Sequence, residues 1–277
     1  ATDEGRTAGR RLQLEGRVAW IIGASSGIGE ATAREAATRG YKTVISARRS
    51  DRLEAIRAEL GDRVEVVPID LETAALEAVV DEVWATHGPV DLAVISAGVS
   101  QRALAADTEA AVVKRLLRLN LEAAARLGGA LATHMTRRGS GAIVVVSSLA
   151  GVVPAPYRSG YSAAKHGLHG YFATLNAELT GSGVAVRVVV PGFVATNISH
   201  SALTGDGTPY RAADAAQARG KPPTVVARAI LRAPNRRRCF IYVALGIAGH
   251  LAILLSRHLP RLYNRIALRR ETRARHG

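Results

Sequence analysis

Six times between residues 18 and 192 a short apolar run gives way to a longer stretch of mixed polarity, and this alternation narrows the possible folds most. The apolar runs are VAWII (18–22), KTVISA (42–47), VEVVPID (64–70), DLAVISAG (91–98), AIVVVSS (142–148) and VAVRVVVPG (184–192). Between them the pattern predicts helices over 27–39, 50–60, 72–87 and 158–181, and one or two over 107–138. Strands that are apolar on both faces and alternate with helices make a parallel sheet covered on two sides. Right-handed crossovers then give a doubly wound α/β sheet with helices on both faces. The rhythm breaks at 193–223, a Gly/Ser/Thr/Asp/Ala-rich segment of the length of a lid or binding loop, here expected to be a substrate loop, or of a connection that contains short helices. A short helix (224–233) and a last strand (239–244) follow. Residues 1–15 read as a flexible tail, 16–245 as one catalytic-type domain, and 246–277 as a basic amphipathic extension.

With 277 residues, 48% of them hydrophobic, the chain can build a sizeable core and is not a disordered polymer. Its one cysteine, Cys239, permits no internal disulfide, and no histidines or cysteines stand at zinc-ligand spacing, so no metal is expected. No apolar run occurs in the first 17 residues, which together with the lone cysteine leads us to expect a cytoplasmic protein. The net charge is +14, of which +11 comes from Arg228 onward (twelve arginines against Glu271), leaving +3 on the rest. Twelve aromatic residues in all are too few for base-stacking platforms, so nucleic acid is not an expected partner.

Directly after the first strand stands Gly23-Ala24-Ser25-Ser26-Gly27-Ile28-Gly29, then a helix. Glycines there let the backbone approach a pyrophosphate, and the helix N-terminus offers free N–H groups and positive dipole. Tight strand–helix turns need glycine in any case, so the loop alone does not decide. At the end of the second strand, where an acid would hold the ribose hydroxyl of NAD, the chain reads Ser46-Ala47-Arg48-Arg49-Ser50. A guanidinium offers a 2′-phosphate paired, charge-assisted hydrogen bonds, on the order of 4 kcal/mol at ~4 Å and an effective dielectric of ~20, before desolvation. That points to NADP(H). The competing reading leaves Arg48 and Arg49 as solvated arginines of an arginine-rich chain.

After the fifth strand come Ser147-Ser148, and then Tyr161-Ser162-Ala163-Ala164-Lys165. On a helix Tyr161 and Lys165 share one face. A tyrosine pKa near ~10 must fall about three units, roughly 4 kcal/mol, for base work at neutral pH. A lysine ammonium at ~4 Å supplies about that much. The pair can therefore act as an acid/base device, although Tyr-x-x-x-Lys alone also occurs on ordinary half-exposed helices.

Over residues 16–245 the chain resembles the short-chain dehydrogenase/reductase superfamily. The matching residues are Gly23, Gly27 and Gly29; Asp70; Ser96-Ala97-Gly98; Asn120; Ser148; Tyr161 with Lys165; and Pro191-Gly192 with Thr196. The resemblance implies a Rossmann-type sheet and a catalytic set of Asn120, Ser148, Tyr161 and Lys165. Tyr161 would protonate the carbonyl oxygen, Ser148 would polarise it, and Lys165 would lower the tyrosine pKa and bind ribose hydroxyls. Asn120 would hold a relay water, Asp70 would bond the adenine amine, and Thr196 the carboxamide. The cofactor would touch Gly23, Ser25, Ser26, Gly27, Ile28, Gly29, Arg48, Arg49, Asp70 and Leu71. It would also touch Ser96, Ala97, Gly98, Tyr161, Lys165, Pro191, Gly192, Val194 and Thr196. Two departures stand out: Ile22 replaces the usual threonine, and Ile95-Ser96-Ala97-Gly98 replaces Asn-Asn-Ala-Gly, changes expected to alter loop stability more than activity.

The implied activity is NADP(H)-dependent interconversion of a carbonyl and an alcohol on an apolar small molecule; the rival is a non-catalytic NADP(H)-binding scaffold or redox sensor. Relatives suggest a dimer or tetramer. Ser100, Tyr157, Phe193 and His200 are candidate pocket residues from their nearness to the motifs. In the extension, the uncharged run 239–255 is shorter than the about 20 residues of a membrane span. Beyond it Leu259, Leu262, Tyr263 and Ile266 share one helical face and Arg261, Arg265 and Arg269 another. Such a helix suits a lid, a subunit contact, a peripheral membrane contact or a plain surface helix.

Overall fold

The computed structural model describes residues 14–212 and 215–276. Seven strands form one parallel sheet: β1 (Val18–Ile22), β2 (Lys42–Ser46), β3 (Val64–Val66), β4 (Val90–Ile95), β5 (Gly141–Val146), β6 (Val184–Pro191) and β7 (Phe240–Val243). Their order is β3-β2-β1-β4-β5-β6-β7, so the chain winds outward from β1 in one direction, then returns to β4 and winds in the other. The doubly wound sheet expected from the alternation of elements is therefore present. The adjacent β1 and β4 carry the reversal, with Ile22 paired to Ser46 on one side and Ile95 on the other.

Because neighbouring side chains on a strand point to opposite faces, the apolar strands feed two cores. Trp20 and Ile22 face α3 (Leu76–His87), α5 (Ala123–Arg138) and α6 (Ser159–Glu178), packing with Leu76, Leu127 and Phe172. Ala19 and Ile21 face α1 (Gly27–Thr38), α2 (Ser50–Leu60) and α8 (Pro223–Arg232), packing with Ala33, Leu53 and Ile230. The short α4 (Ala110–Leu117) stands before α5, and a single turn, α7 (Ala215–Ala218), lies in the 193–223 segment.

Three boundaries differ from expectation for identifiable reasons. The third strand ends at Val66, not residue 70, because Pro68 has no N–H to give the ladder. The main-chain bonds resume around it, from Val67 N to Ile45 O and from Ile69 N to Ala47 O. The long 107–138 helix begins at Ala110 and is divided by a π turn at Arg118–Glu122. Of the expected N-terminal tail, residues 1–13 lie outside the described residues, while Leu14 packs against the second core and accepts a bond from Arg17 N.

The extension forms two helices, α9 (Gly246–His258) and α10 (Pro260–His276). Tyr263 is buried and its hydroxyl donates to Pro154 O at 2.8 Å, Arg158 pairs with Glu271 at 3.1 Å, and the Arg270 guanidinium lies 4.9 Å from the centre of the Phe193 ring. These contacts pack the extension onto Pro154, Arg158 and Phe193.

Leu127 is fully buried between α5 and the sheet. Leu127→Ala should lower unfolding stability by about 3 kcal/mol through lost burial and the cavity left behind. Urea denaturation measures this, with the slope against urea unchanged.

Candidate active site

Strand β1 runs straight into the glycine loop, and main-chain bonds fix the loop's path. Gly23 N and Ala24 N both donate to Ser46 O, and Ser96 N donates to Ile22 O. Gly23 has φ +92°, and a Cβ there would stand 2.5 Å from Ala97 N, so the two loops meet with no room for a side chain. These backbone contacts explain why Ile22, itself buried, serves where the resembling family has threonine.

Above this junction lies a cleft of about 1170 Å³, more than the roughly 300–1,000 Å³ of a typical small-ligand pocket. Every cofactor residue expected from the sequence lines it except Gly29. Gly29 sits behind the loop, where a Cβ would meet Gly23 O at 2.1 Å, and its part is to seat α1 against the strand end. Of the guessed pocket residues, Ser100, Phe193 and His200 line the cleft and Tyr157 does not.

The residues present fit a dinucleotide. No side chain caps the N-terminus of α1, which leaves its first N–H groups to the cleft. Arg49 lies across the loop, its Nη2 donating to Ser25 O at 3.2 Å and to Ser25 Oγ at 3.0 Å. Arg48 is 65% exposed at the mouth, 3.7 Å from Glu72, whose carboxylate also accepts two bonds from Arg115, each of 3.0 Å. Asp70 turns one carboxylate oxygen to Glu72 N at 3.0 Å, holding the bend after β3. Among the described residues no cluster of three metal-ligating side chains occurs.

Further along, β5 delivers Ser147 and Ser148, and α6 delivers Tyr161 and Lys165. Ser148 has extended φ/ψ and caps the 3₁₀ turn Leu149–Gly151, its Oγ accepting from Ala150 N at 3.2 Å while also engaging the Tyr161 phenol. Lys165 is buried, its Nζ donating to Val146 O at 3.0 Å and lying 5.8 Å from the centre of the Tyr161 ring.

The electrostatics differ from the simple two-group expectation. Burial pushes the phenol of Tyr161 above its usual value, and the Ser148 hydroxyl and the Arg158 and Arg102 guanidiniums pull it back. Burial also drives the Lys165 ammonium down to about 8. A desolvated ammonium bonded to a carbonyl does not by itself bring the phenol to neutrality, so Tyr161 holds its proton there.

Asn120 does not line the cleft. Its Nδ2 donates to Val99 O at 3.0 Å and to Leu116 O at 2.9 Å, and its Oδ1 accepts from Val99 N at 3.1 Å. Asn120 sits in the π turn, and its amide thus ties that turn both to the preceding helix at Leu116 and to the strand end at Val99. A Cβ on Gly98 would stand 2.5 Å from Asn120 Oδ1, so glycine there lets the amide pin the turn after β4. With both amide donors used, the Asn120 side chain positions the site.

Sequence reasoning missed several cleft residues: Arg102, Arg115, Arg158, Tyr263, Arg270 and Glu271. Arg158 was within reach, since it stands three residues before Tyr161. Arg102 was not, because its place depends on the pairing of Arg102 N with Leu203 O across 101 residues. Its Nη2 donates to Ser199 Oγ at 3.1 Å; Ser199 donates to Gln217, and Gln217 Nε2 donates to Thr196 Oγ1 at 3.0 Å. This chain of bonds ties the loop after β4 to the substrate loop.

A parallel sheet with a glycine-lined crevice at its reversal, and a serine, a tyrosine and a lysine beyond it, defines a nucleotide-binding oxidoreductase. Comparison with known proteins makes the assignment specific: the short chain dehydrogenase family profile matches residues 17–206, and the chain belongs to that family. It is 36% identical over 267 residues to dehydrogenase/reductase SDR family member 7B of Danio rerio, covering 93% of this chain and 86% of that one. It is 34% identical over 261 residues to an SDR family protein 7-like dehydrogenase/reductase of Drosophila melanogaster, covering 91% and 80%. Among solved structures, a Burkholderia phymatum short chain dehydrogenase/reductase in complex with NAD superposes with a TM-score of 0.80 at 27% identity, covering 90% and 95%. A metagenomic short-chain oxidoreductase in complex with NADP gives 0.69 at 29% identity, covering 83% and 97%.

Behind Lys165, His169 Nε2 meets Ser147 Oγ at 2.8 Å. Burial, followed by the charges of His166 and Lys165, lowers the His169 pKa from 6.5 to about 4. Below pH 6.5 the unfolded chain protonates this histidine and the folded chain does not, so stability falls as pH drops from 6.5 toward 4. His169→Gln should flatten that part of the acid limb in thermal melts.

Proposed function

We propose that the protein is an NADP(H)-dependent enzyme that interconverts a ketone or aldehyde and its alcohol on an apolar substrate. The observation that carries this reading is the buried Tyr161 phenol, engaged by Ser148, in a cleft continuous with the glycine loop. A bound nicotinamide cofactor supplies or accepts the hydride. The chain's part is to place the substrate and move one proton. In reduction, Ser148 Oγ donates a hydrogen bond to the substrate oxygen, and Tyr161 Oη gives that oxygen its proton. In oxidation the same proton returns to Tyr161. Lys165, Arg158 and Arg102 surround the phenol with positive charge, which favours the phenolate left after the transfer. A scaffold that only bound the nucleotide would have no use for this set.

The preference for the 2′-phosphate is supported by Arg48 and Arg49 at the mouth, and no carboxylate stands among residues 46–50. Glu72, the acid nearest Arg48, is already held by Arg115. The apolar substrate class is supported by the far wall, where Leu245, Ala248, Leu251, Ala252, Leu255 and Ile266 line the cleft.

Arg48→Ala should weaken NADPH binding about tenfold or more and leave NADH binding unchanged, since hydrogen bonds to charged groups contribute about 1.5–3 kcal/mol. Fluorescence titration of both cofactors measures this, and equal affinities in the wild type would defeat the assignment. Tyr161→Phe should cut turnover at least about a hundredfold while NADPH still binds. Because the Tyr161 pKa is raised, the proton donor is in place at neutral pH. Carbonyl reduction should therefore stay level through neutrality and decline in alkali, and alcohol oxidation should climb with pH; the paired pH–rate profiles show the two trends.

A further inference from the structure

The extension lies over the cleft like a lid, and of its exposed large apolar side chains only Leu251 and Ile266 also line that cleft. Seven of the twelve exposed large apolar side chains among the described residues lie in α9, α10 and the joint between them: Ile247, Leu251, Leu254, Leu259, Leu262, Ile266 and Leu268. Ile247 is 82% exposed, and with Leu251 and Leu254 it forms one row along α9. Leu262 and Ile266 make the corresponding row on α10. Arg261 and Arg265 each stand one position before them, so a cationic row runs beside the apolar one, about 100° around the helix. Soluble chains rarely gather so many apolar side chains outside the core without a partner.

We propose that this two-helix lid docks on an anionic lipid surface, with the outer apolar rows in the interface and the arginines reaching the headgroups. Charge selects this occupant. Residues 246–277 hold seven arginines against Glu271, a net +6, while the first 227 residues carry only +3. Among the described residues, Arg257, Arg261, Arg265 and Arg269 are exposed and form no ion pair. A second copy of the chain would set the same positive face against itself, which like charges oppose. A lipid surface with negative headgroups accepts both features, and basic amphipathic helices bind such surfaces lying flat. No helix among the described residues is long and apolar enough to cross a membrane, so the contact is at the surface. Leu251 and Ile266 belong both to the apolar rows and to the cleft wall, so this far end of the cleft borders the docked face. Resting on the proposed carbonyl chemistry, this means a substrate dissolved in lipid enters without crossing water.

Flotation with vesicles tests the docking without any turnover, so it stands apart from the catalytic reading. The full chain should bind vesicles of phosphatidylcholine and phosphatidylglycerol at low salt, bind pure phosphatidylcholine more weakly, and leave the anionic vesicles as salt rises. Ile247→Gln, Leu254→Gln and Leu262→Gln together, at positions outside the cleft lining, should weaken binding at least about tenfold. Arg261→Gln, Arg265→Gln and Arg269→Gln together should weaken it about a hundredfold, each basic residue near such a surface being worth about fivefold. Both variants should keep wild-type NADPH binding, which verifies the fold, and wild-type turnover of a water-soluble aldehyde. Wild-type chain that fails to bind anionic vesicles, or apolar variants that bind them as well as wild type, would overturn the proposal. So would a wild-type dimer that ignores vesicles and that the apolar substitutions split into monomers.

Discussion

At the reversal of the sheet, two strand ends have to run side by side and then part, and the backbone contact between Gly23 and Ala97 is where they do so. A side chain at Gly23 would collide with main-chain atoms, which cannot move without carrying β1 or β4 with them. From that contact follow the direction of the glycine loop, the seat of α1 and the depth of the crevice. At its base the loop needs no strut from residue 22, because Ser46 O and Ile22 O already accept the main-chain bonds that hold its neighbours. This is why a buried isoleucine is tolerated at residue 22, and why the turn after β4 can rely on Asn120 from a different helix.

Past the crevice the chemistry is a matter of how charge is buried. Tyr161 and Lys165 are both withdrawn from water, and each is displaced toward its neutral form. Tyr161 therefore keeps its proton, while Lys165, at about 8, still carries most of its charge at neutral pH, and positive charge added beside the phenol favours the phenolate. The two guanidiniums near the phenol extend a positive field along the cleft, continuing the arginines at the mouth. In the proposed reaction the protein thus meets an anionic nucleotide and a developing phenolate with the same kind of residue, placed at two distances from the sheet.

The sequence made the sheet and most of the site legible because both depend on local rules. Apolar runs bounded by turn residues mark strands without knowledge of their partners, and Tyr161 and Lys165 share a helix face by spacing alone. What escaped depends on contacts between distant segments. Arg102 reaches the cleft through pairing with Leu203, and Glu271 reaches Arg158 across 113 residues. The acidity of Tyr161 escaped for another reason: a spacing argument places the ammonium but not its desolvation, nor the carbonyl of Val146 that engages it. Asn120 was found as a motif residue, yet its work in the π turn could not be read, since it depends on the Val99 backbone that the fold brings to it from 21 residues away.

The π turn has one more effect. Inserting a residue into a helix advances its phase by about a quarter turn, so the segments before and after it look toward different neighbours. Before it, Val112 and Leu116 pack with Leu203 beneath the substrate loop; after it, Leu127, Leu131 and Met135 pack on the sheet. The five residues act as a phase adapter between the segment under residues 193–223 and the sheet. Deleting one of them would give a smoother helix that could satisfy only one of its two clients.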